Sequence, residues 1–169
     1  MAIKDSGTRR KFKTGAVRDI AEGKGRCDLL PLEVVSRLLK NDCVLKNINS
    51  YVYSGDKRYL ADAIVFFATH RYKNTITAIL EVAKHYEDGC VKYGERNWQK
   101  GIDLHCYIDS GVRHYLKWLR GDTDEPHDRA FIWNMLGALW THENKPELID
   151  LPFKKRGQKN ESHIDTINT

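Results

Sequence analysis

The chain has 169 residues, the size of one ordinary domain built around a single core. Hydrophobic residues make up 41% and charged residues 30%, which fits a globular protein and argues against a collagen-like, disordered or membrane chain. A net charge of +5, from 28 basic and 23 acidic residues, favours an anionic partner without choosing between nucleotide phosphate and nucleic acid.

The first residues, MAIKDSGTRRKFK, carry charge with no apolar block after them, so no signal peptide is expected and the expected location is the cytoplasm. Residues 1–31 hold Gly7, Gly15, Gly23, Gly25 and Pro31 among many cations, which reads as an irregular basic arm. A first helix is predicted over 31–43, opened by Pro31 and carrying Val34, Val35, Leu38 and Leu39. NINSYVYSGD reads as a loop, with at most a short helical turn. A second helix starts near Lys57 with Leu60, Ile64, Phe67 and Ala68. A third runs over 74–93 and ends at Gly94, and a fourth over 105–120 ends at Gly121. The fifth starts at Pro126 behind DTDE, acids that suit the positive end of a helix, and continues to about 142.

The fold class is therefore all-α: about five helices over 32–145, with an N-terminal arm over 1–31. A disordered tail is expected over 146–169. No apolar run reaches the roughly 18 residues of a membrane span. Cys27, Cys43, Cys90 and Cys106 form no CxxC pair and are expected to be free thiols.

At 100° per residue, certain acids fall on apolar stripes. In the third helix Glu87 lies close to the stripe of Ile76, Leu80 and Ala83, with Asp88 on its flank. In the fourth Asp109 aligns with Val112 and Leu116, and in the fifth Asp128 lies over Ile132, Met135 and Leu139. Buried carboxylates need partners, so three converging acids suggest bound Mg²⁺ or Mn²⁺. The competing reading pairs Glu87 with Arg113 or a lysine and lets Asp128 cap its helix.

Cations and aromatics surround this set. Lys92, Arg96, Asn97, Trp98 and Lys100 follow the third helix, and Arg113 and His114 follow Asp109 by one turn. Arginine and lysine suit polyphosphate, and an aromatic face suits a base. Arg18, Lys24 and Arg26 sit in TGAVRD and GKGR, whose glycines let backbone amides approach an anion. Neither string is a P-loop or a GxGxxG turn. His85, Cys90, His105 and Cys106 match no usual zinc spacing, and neither GxSxG nor HExxH occurs.

Five strings, TGAVRD, GKGRCDLLP, HYEDGCVKYGERNWQKG, YIDSGVRHYLKWLRGD and DEPHDRAFIWNMLGALW, together resemble a phage-associated family of dATP/dGTP diphosphohydrolases. This family is similar to MazZ and, more remotely, to MazG-type all-α nucleotide pyrophosphohydrolases. The resemblance covers about residues 12–142, with 44–73 looking like an insertion.

It implies a Mg²⁺-dependent enzyme that splits a purine (deoxy)nucleoside triphosphate between its α and β phosphorus atoms. Glu87 and Asp109 would be the first ligands, with Asp88 or Asp128 as further ligand or base. Lys92, Arg96, Lys100 and Arg113 would hold phosphates; Asn97, Trp98 and Asn134 would contact base or sugar; His114 or His127 would donate a proton or touch phosphate. The MazG pattern of EExxE followed by ExxD is incomplete here, which leaves the number of metals and the identity of the base open. The resemblance also implies a homo-oligomer. Two other readings compete: a non-catalytic nucleotide binder that sequesters a host-defence signal and, ranked lowest, a nucleic-acid module.

Overall fold

The computed structural model describes residues 6–153. Two short strands, β1 (Arg9–Lys11) and β2 (Val17–Asp19), pair antiparallel with Arg10 opposite Arg18. Their turn is closed by Phe12 N–H on Ala16 C=O and Gly15 N–H on Phe12 C=O, with Gly15 at φ +86°. A single turn of tight helix at Cys27–Leu29 follows. The helices are α1 (Leu32–Leu38), α2 (Cys43–Ser54), α3 (Arg58–Tyr72), α4 (Thr75–Tyr93), α5 (Leu104–Arg120) and α6 (His127–Asn144), with a short turn at Pro146–Leu148. The fold is helical, as expected, with six helices in place of five.

The added helix is α2, in the stretch read as a loop. Asp42 caps it, accepting Leu45 N–H at 2.8 Å through one carboxylate oxygen and Tyr115 O–H at 2.6 Å through the other. Val44, Leu45, Ile48 and Tyr51 are buried along one face, an i, i+1, i+4, i+7 spacing that outweighs the weak helix propensity of the asparagines and tyrosines. Asn74 caps α4 by accepting Thr77 N–H at 2.8 Å.

The centre of the molecule is the antiparallel pair α5 and α6, which lie close because of two glycines. A Cβ on Gly111 would collide with Met135, and one on Gly137 would collide with the ring of Tyr107. Phe67 stands edge-on to Tyr115, Trp118 and Phe131, joining α3 to that pair. α4 packs on α3 and α6 through Ala78, Val82 and His85. This overturns the expected stripe: Ile76, Leu80 and Ala83 are exposed. α4 has two apolar faces, and the one carrying Ala78 and Val82 packs inward.

The chain after α6 also departs from expectation. Ile149, Leu151 and Phe153 pack on the core, and Phe153 stands edge-on to Tyr51 at 5.4 Å between ring centres. His105 and Asp150 pair across the same seam. Packing on the core thus continues past 145 to Phe153, which meets Tyr51 of α2 and His142 of α6. The expected tail over 154–169 lies outside the described residues. No helix of the described residues is long and apolar enough to cross a membrane.

Gly137→Ala pushes a methyl into a fully buried ring. The overpacking cost of about 1–3 kcal/mol exceeds the helix-propensity gain of about 1 kcal/mol. Thermal unfolding followed by circular dichroism should show a lower Tm. A raised Tm would contradict the tight seam between α5 and α6.

Candidate active site

A cavity of about 330 Å³ lies between the N-terminal segment and helices α4, α5 and α6, within the usual range for small-molecule sites. The segment contributes Arg18, Asp19 and Lys24, and α4 contributes His85, Gly89 and Tyr93. Ser110, Arg113, His114 and Lys117 come from α5, Glu125 from the loop before α6, and Trp133 and Asn134 from α6. Each helix presents a stripe of polar or aromatic groups three or four residues apart, so one face of each looks into the same space.

The N-terminal segment is a fixed wall. Asn97 is buried and uses its amide as a strand partner, accepting Val17 N–H at 2.9 Å and donating to Val17 C=O at 2.8 Å. Arg18 reaches inward to donate to Asn134 Oδ1 at 2.8 Å and to the Cys106 carbonyl at 3.2 Å, with its guanidinium 5.3 Å and 5.4 Å from the ring centres of Tyr107 and Trp133. Further along, Cys27 N–H donates to Asp109 Oδ1 at 2.6 Å. Arg113 pairs with Asp109 and donates to the carbonyls of Lys24 and Gly25 at 3.1 Å and 3.0 Å.

The carboxylates do not converge. Glu87 is exposed and Asp88 half-buried, because the face of α4 that carries Glu87 points outward. Asp109 is buried but bound to Arg113 and the Cys27 amide. Asp128 is buried against Arg71 at 2.8 Å and accepts Arg129 N–H at 2.9 Å. Among the described residues, none of the four belongs to a cluster of side chains close enough to share an ion. For Asp109 and Asp128 the cost of burial is met by arginine; Arg113 thus holds Asp109 and not Glu87, and Asp128 holds Arg71 where helix capping was the competing expectation. These four residues therefore do not fit a common Mg²⁺ ion.

The cations are partly gathered. Arg18, Lys24 and Arg113 line the cavity as expected. Lys92 does not line it but holds Asp19, which does, at 2.8 Å. Arg96 and Trp98 border a second, smaller recess, where Trp98 stands edge-on to Trp140 and Tyr86 as a packing residue. Arg26 is exposed and holds Asp28, and Lys100 is exposed; neither lines the cavity. Asn134 and Asn97 line it, but their amides are committed to Arg18, the Ala130 carbonyl and Val17. They position the wall. His127 sits behind His114, ring to ring.

Lys117, His85, Trp133 and Glu125 were not expected in the site. Spacing could have found Lys117, which follows Ser110, Arg113 and His114 at i+7, i+4 and i+3. Burial pushes His85 down to about 4, helped by the charges of Arg129 and Arg18, and its Nδ1 has no partner. Burial likewise holds His114 well below the ordinary histidine range, with His127 and His85 adding to the effect. Lys24 is lowered by burial first, with Arg113 and Lys92 adding to it against the opposing pull of Asp19 and Glu125. Arg18, Lys24, Arg113 and Lys117 outnumber Asp19 and Glu125 around neutral imidazoles, so the cavity suits a polyanion.

A family model described as dATP/dGTP diphosphohydrolase, N-terminal, matches residues 54–151. The chain belongs to this family. No curated protein and no solved structure matches it. The dATP/dGTP diphosphohydrolase span takes in α3 through α6 and the stretch to Leu151. The helical wall of the cavity falls inside the span, whereas Arg18, Asp19 and Lys24 lie outside it. A nucleotide is the ligand that the family name implies, and a positively charged cavity is in keeping with it.

Asp109→Ala would strand a partly buried Arg113 and the Cys27 amide, costing about 3–5 kcal/mol. Urea unfolding should show the same loss in Mg²⁺ and in EDTA. A loss confined to Mg²⁺ would instead make Asp109 a metal ligand.

Proposed function

We propose that the protein hydrolyses a purine deoxynucleoside triphosphate, dATP or dGTP, at the α phosphorus, releasing the nucleoside monophosphate and pyrophosphate. The observation that carries this reading is the cavity itself. It combines four cations, two imidazoles and an indole within a chain of the dATP/dGTP diphosphohydrolase family.

The groups lining the cavity carry the reaction. Lys24 and Lys117 are point charges for the β and γ phosphates, and Arg18 and Arg113 offer planar donors that their other bonds hold in place. Trp133 presents a ring on which a purine can stack, at the end of the cavity shared with the smaller recess. Water attacks the α phosphorus, a new P–O bond forms, the bond to the bridging oxygen breaks, and the proton lost by the water passes to solvent. The charge that develops on the departing pyrophosphate is met by the lysines. His85 is neutral above about pH 4, so it lines the cavity without adding charge beside the attacking water. The expected homo-oligomer would cover Ile76, Ile79 and Leu80, which stand exposed along α4.

Purified protein given dGTP or dATP with a divalent cation should yield monophosphate and pyrophosphate by ³¹P NMR. Lys117→Ala should lower kcat/KM by about 10- to 100-fold, the range for one hydrogen bond to a charged group, with an unchanged Tm. Release of inorganic phosphate alone would contradict the reaction. Recovery of intact nucleotide under every cation tried would favour a binder that sequesters it.

A further inference from the structure

Three side chains at the wall of the cavity form a group that the phosphate contacts leave unused. His114 stands on α5, Glu125 in the loop before α6, and His127 at the first residue of α6. The two Nδ1 atoms are 2.9 Å apart. One oxygen, Glu125 Oε1, is 3.7 Å from His114 Nδ1 and 3.6 Å from His127 Nδ1. Those separations are too long for hydrogen bonds but suit neighbouring ligands of one ion. The point equidistant from the three atoms lies about 2.0 Å from each, which is a metal–nitrogen bond length.

The surroundings agree. His127 Nε2 is 2.8 Å from Asp124 Oδ1, the carboxylate–histidine arrangement that fixes a ligating imidazole with its other nitrogen free to bind. Burial keeps His114 neutral, as a ligand must be. The side chains of His127, Glu125 and His114 are 1%, 13% and 17% exposed, so the site is enclosed on the protein side. His114 and Glu125 nevertheless line the cavity, which leaves open coordination positions facing Arg113 and Lys117.

We propose that His114, Glu125 and His127 bind one first-row transition ion, Mn²⁺, Co²⁺ or Zn²⁺, at the edge of the cavity. Two imidazoles and one carboxylate favour such an ion over Mg²⁺, whose preferred ligands are all oxygen. The open positions would take phosphate oxygens, a use that rests on the function proposed above; binding of the ion does not.

The full chain, stripped with chelator and free of nucleotide, is titrated with Co²⁺ and followed by visible absorption and calorimetry. One equivalent should bind with ligand-field bands, and Mn²⁺ should broaden the imidazole NMR signals of His114 and His127 in the unaltered protein. His127→Gln and Glu125→Gln should weaken Co²⁺ binding at least tenfold, and Asp124→Asn by about 10- to 100-fold. Glu87→Gln should leave it unchanged. Absence of binding by the unaltered protein, or loss with Glu87→Gln but not with His127→Gln, would overturn the site. Co²⁺ binding without pyrophosphate release would uphold the ion site and refute the reaction, whereas release without Co²⁺ binding would do the reverse.

Discussion

The carboxylate of Asp109 holds the site together. It sits on α5, which packs against α6 and the turn at Cys27–Leu29, and is shared between the Cys27 amide and the Arg113 guanidinium. Arg113 then reaches the carbonyls of Lys24 and Gly25. A segment with little apolar surface of its own is thereby fixed against the helices, and Arg18, Asp19 and Lys24 become one wall of the cavity. Asn97 repeats the device at Val17, using an amide where Asp109 uses a charge. Such polar pins are costly to bury and stabilise only when every member is satisfied, which explains their geometric economy.

The same rule decides what each charge is available to do. Asp109 and Asp128 are buried, and each is answered by an arginine, so their inward position reports structure and not metal binding. Charges left facing the cavity are mostly positive, and the neutral histidines there are neutral because they are buried among those positive charges. Among the described residues, the group of His114, Glu125 and His127 brings nitrogen and oxygen donors within reach of one ion beside the cavity, on a different face of α5 from Asp109.

Much of the fold was legible. Gly94 and Gly121 stop α4 and α5 as expected, and five of the six helices could be read from apolar spacing and terminators. α2 was missed because its asparagines and tyrosines resemble a loop, although Val44, Leu45, Ile48 and Tyr51 already carried the helical period. The hairpin was hidden because three-residue strands have no sustained alternation. The stretch up to Phe153 gave little local signal because Phe153 packs on Tyr51 of α2, about a hundred residues earlier, and on His142 of α6.

Arg18, Lys24, Arg113 and His114 were singled out because basic residues near a glycine turn or one helical turn apart stand out, and all four line the cavity. Glu87 was misplaced because α4 offers two apolar faces, and sequence alone cannot say which one packs on α6. Lys117 and Trp133 share a face with residues that had been singled out, so a stripe of mixed polar and aromatic groups is the better signal than an acid on an apolar face.

Amide hydrogen exchange with and without dGTP tests most directly whether the N-terminal segment and α5 enclose the nucleotide. The account predicts added protection over residues 17–27 and along α5 from Ser110 to Lys117. Protection confined to the outer face of α4 around Glu87, with residues 17–27 unchanged, would contradict it.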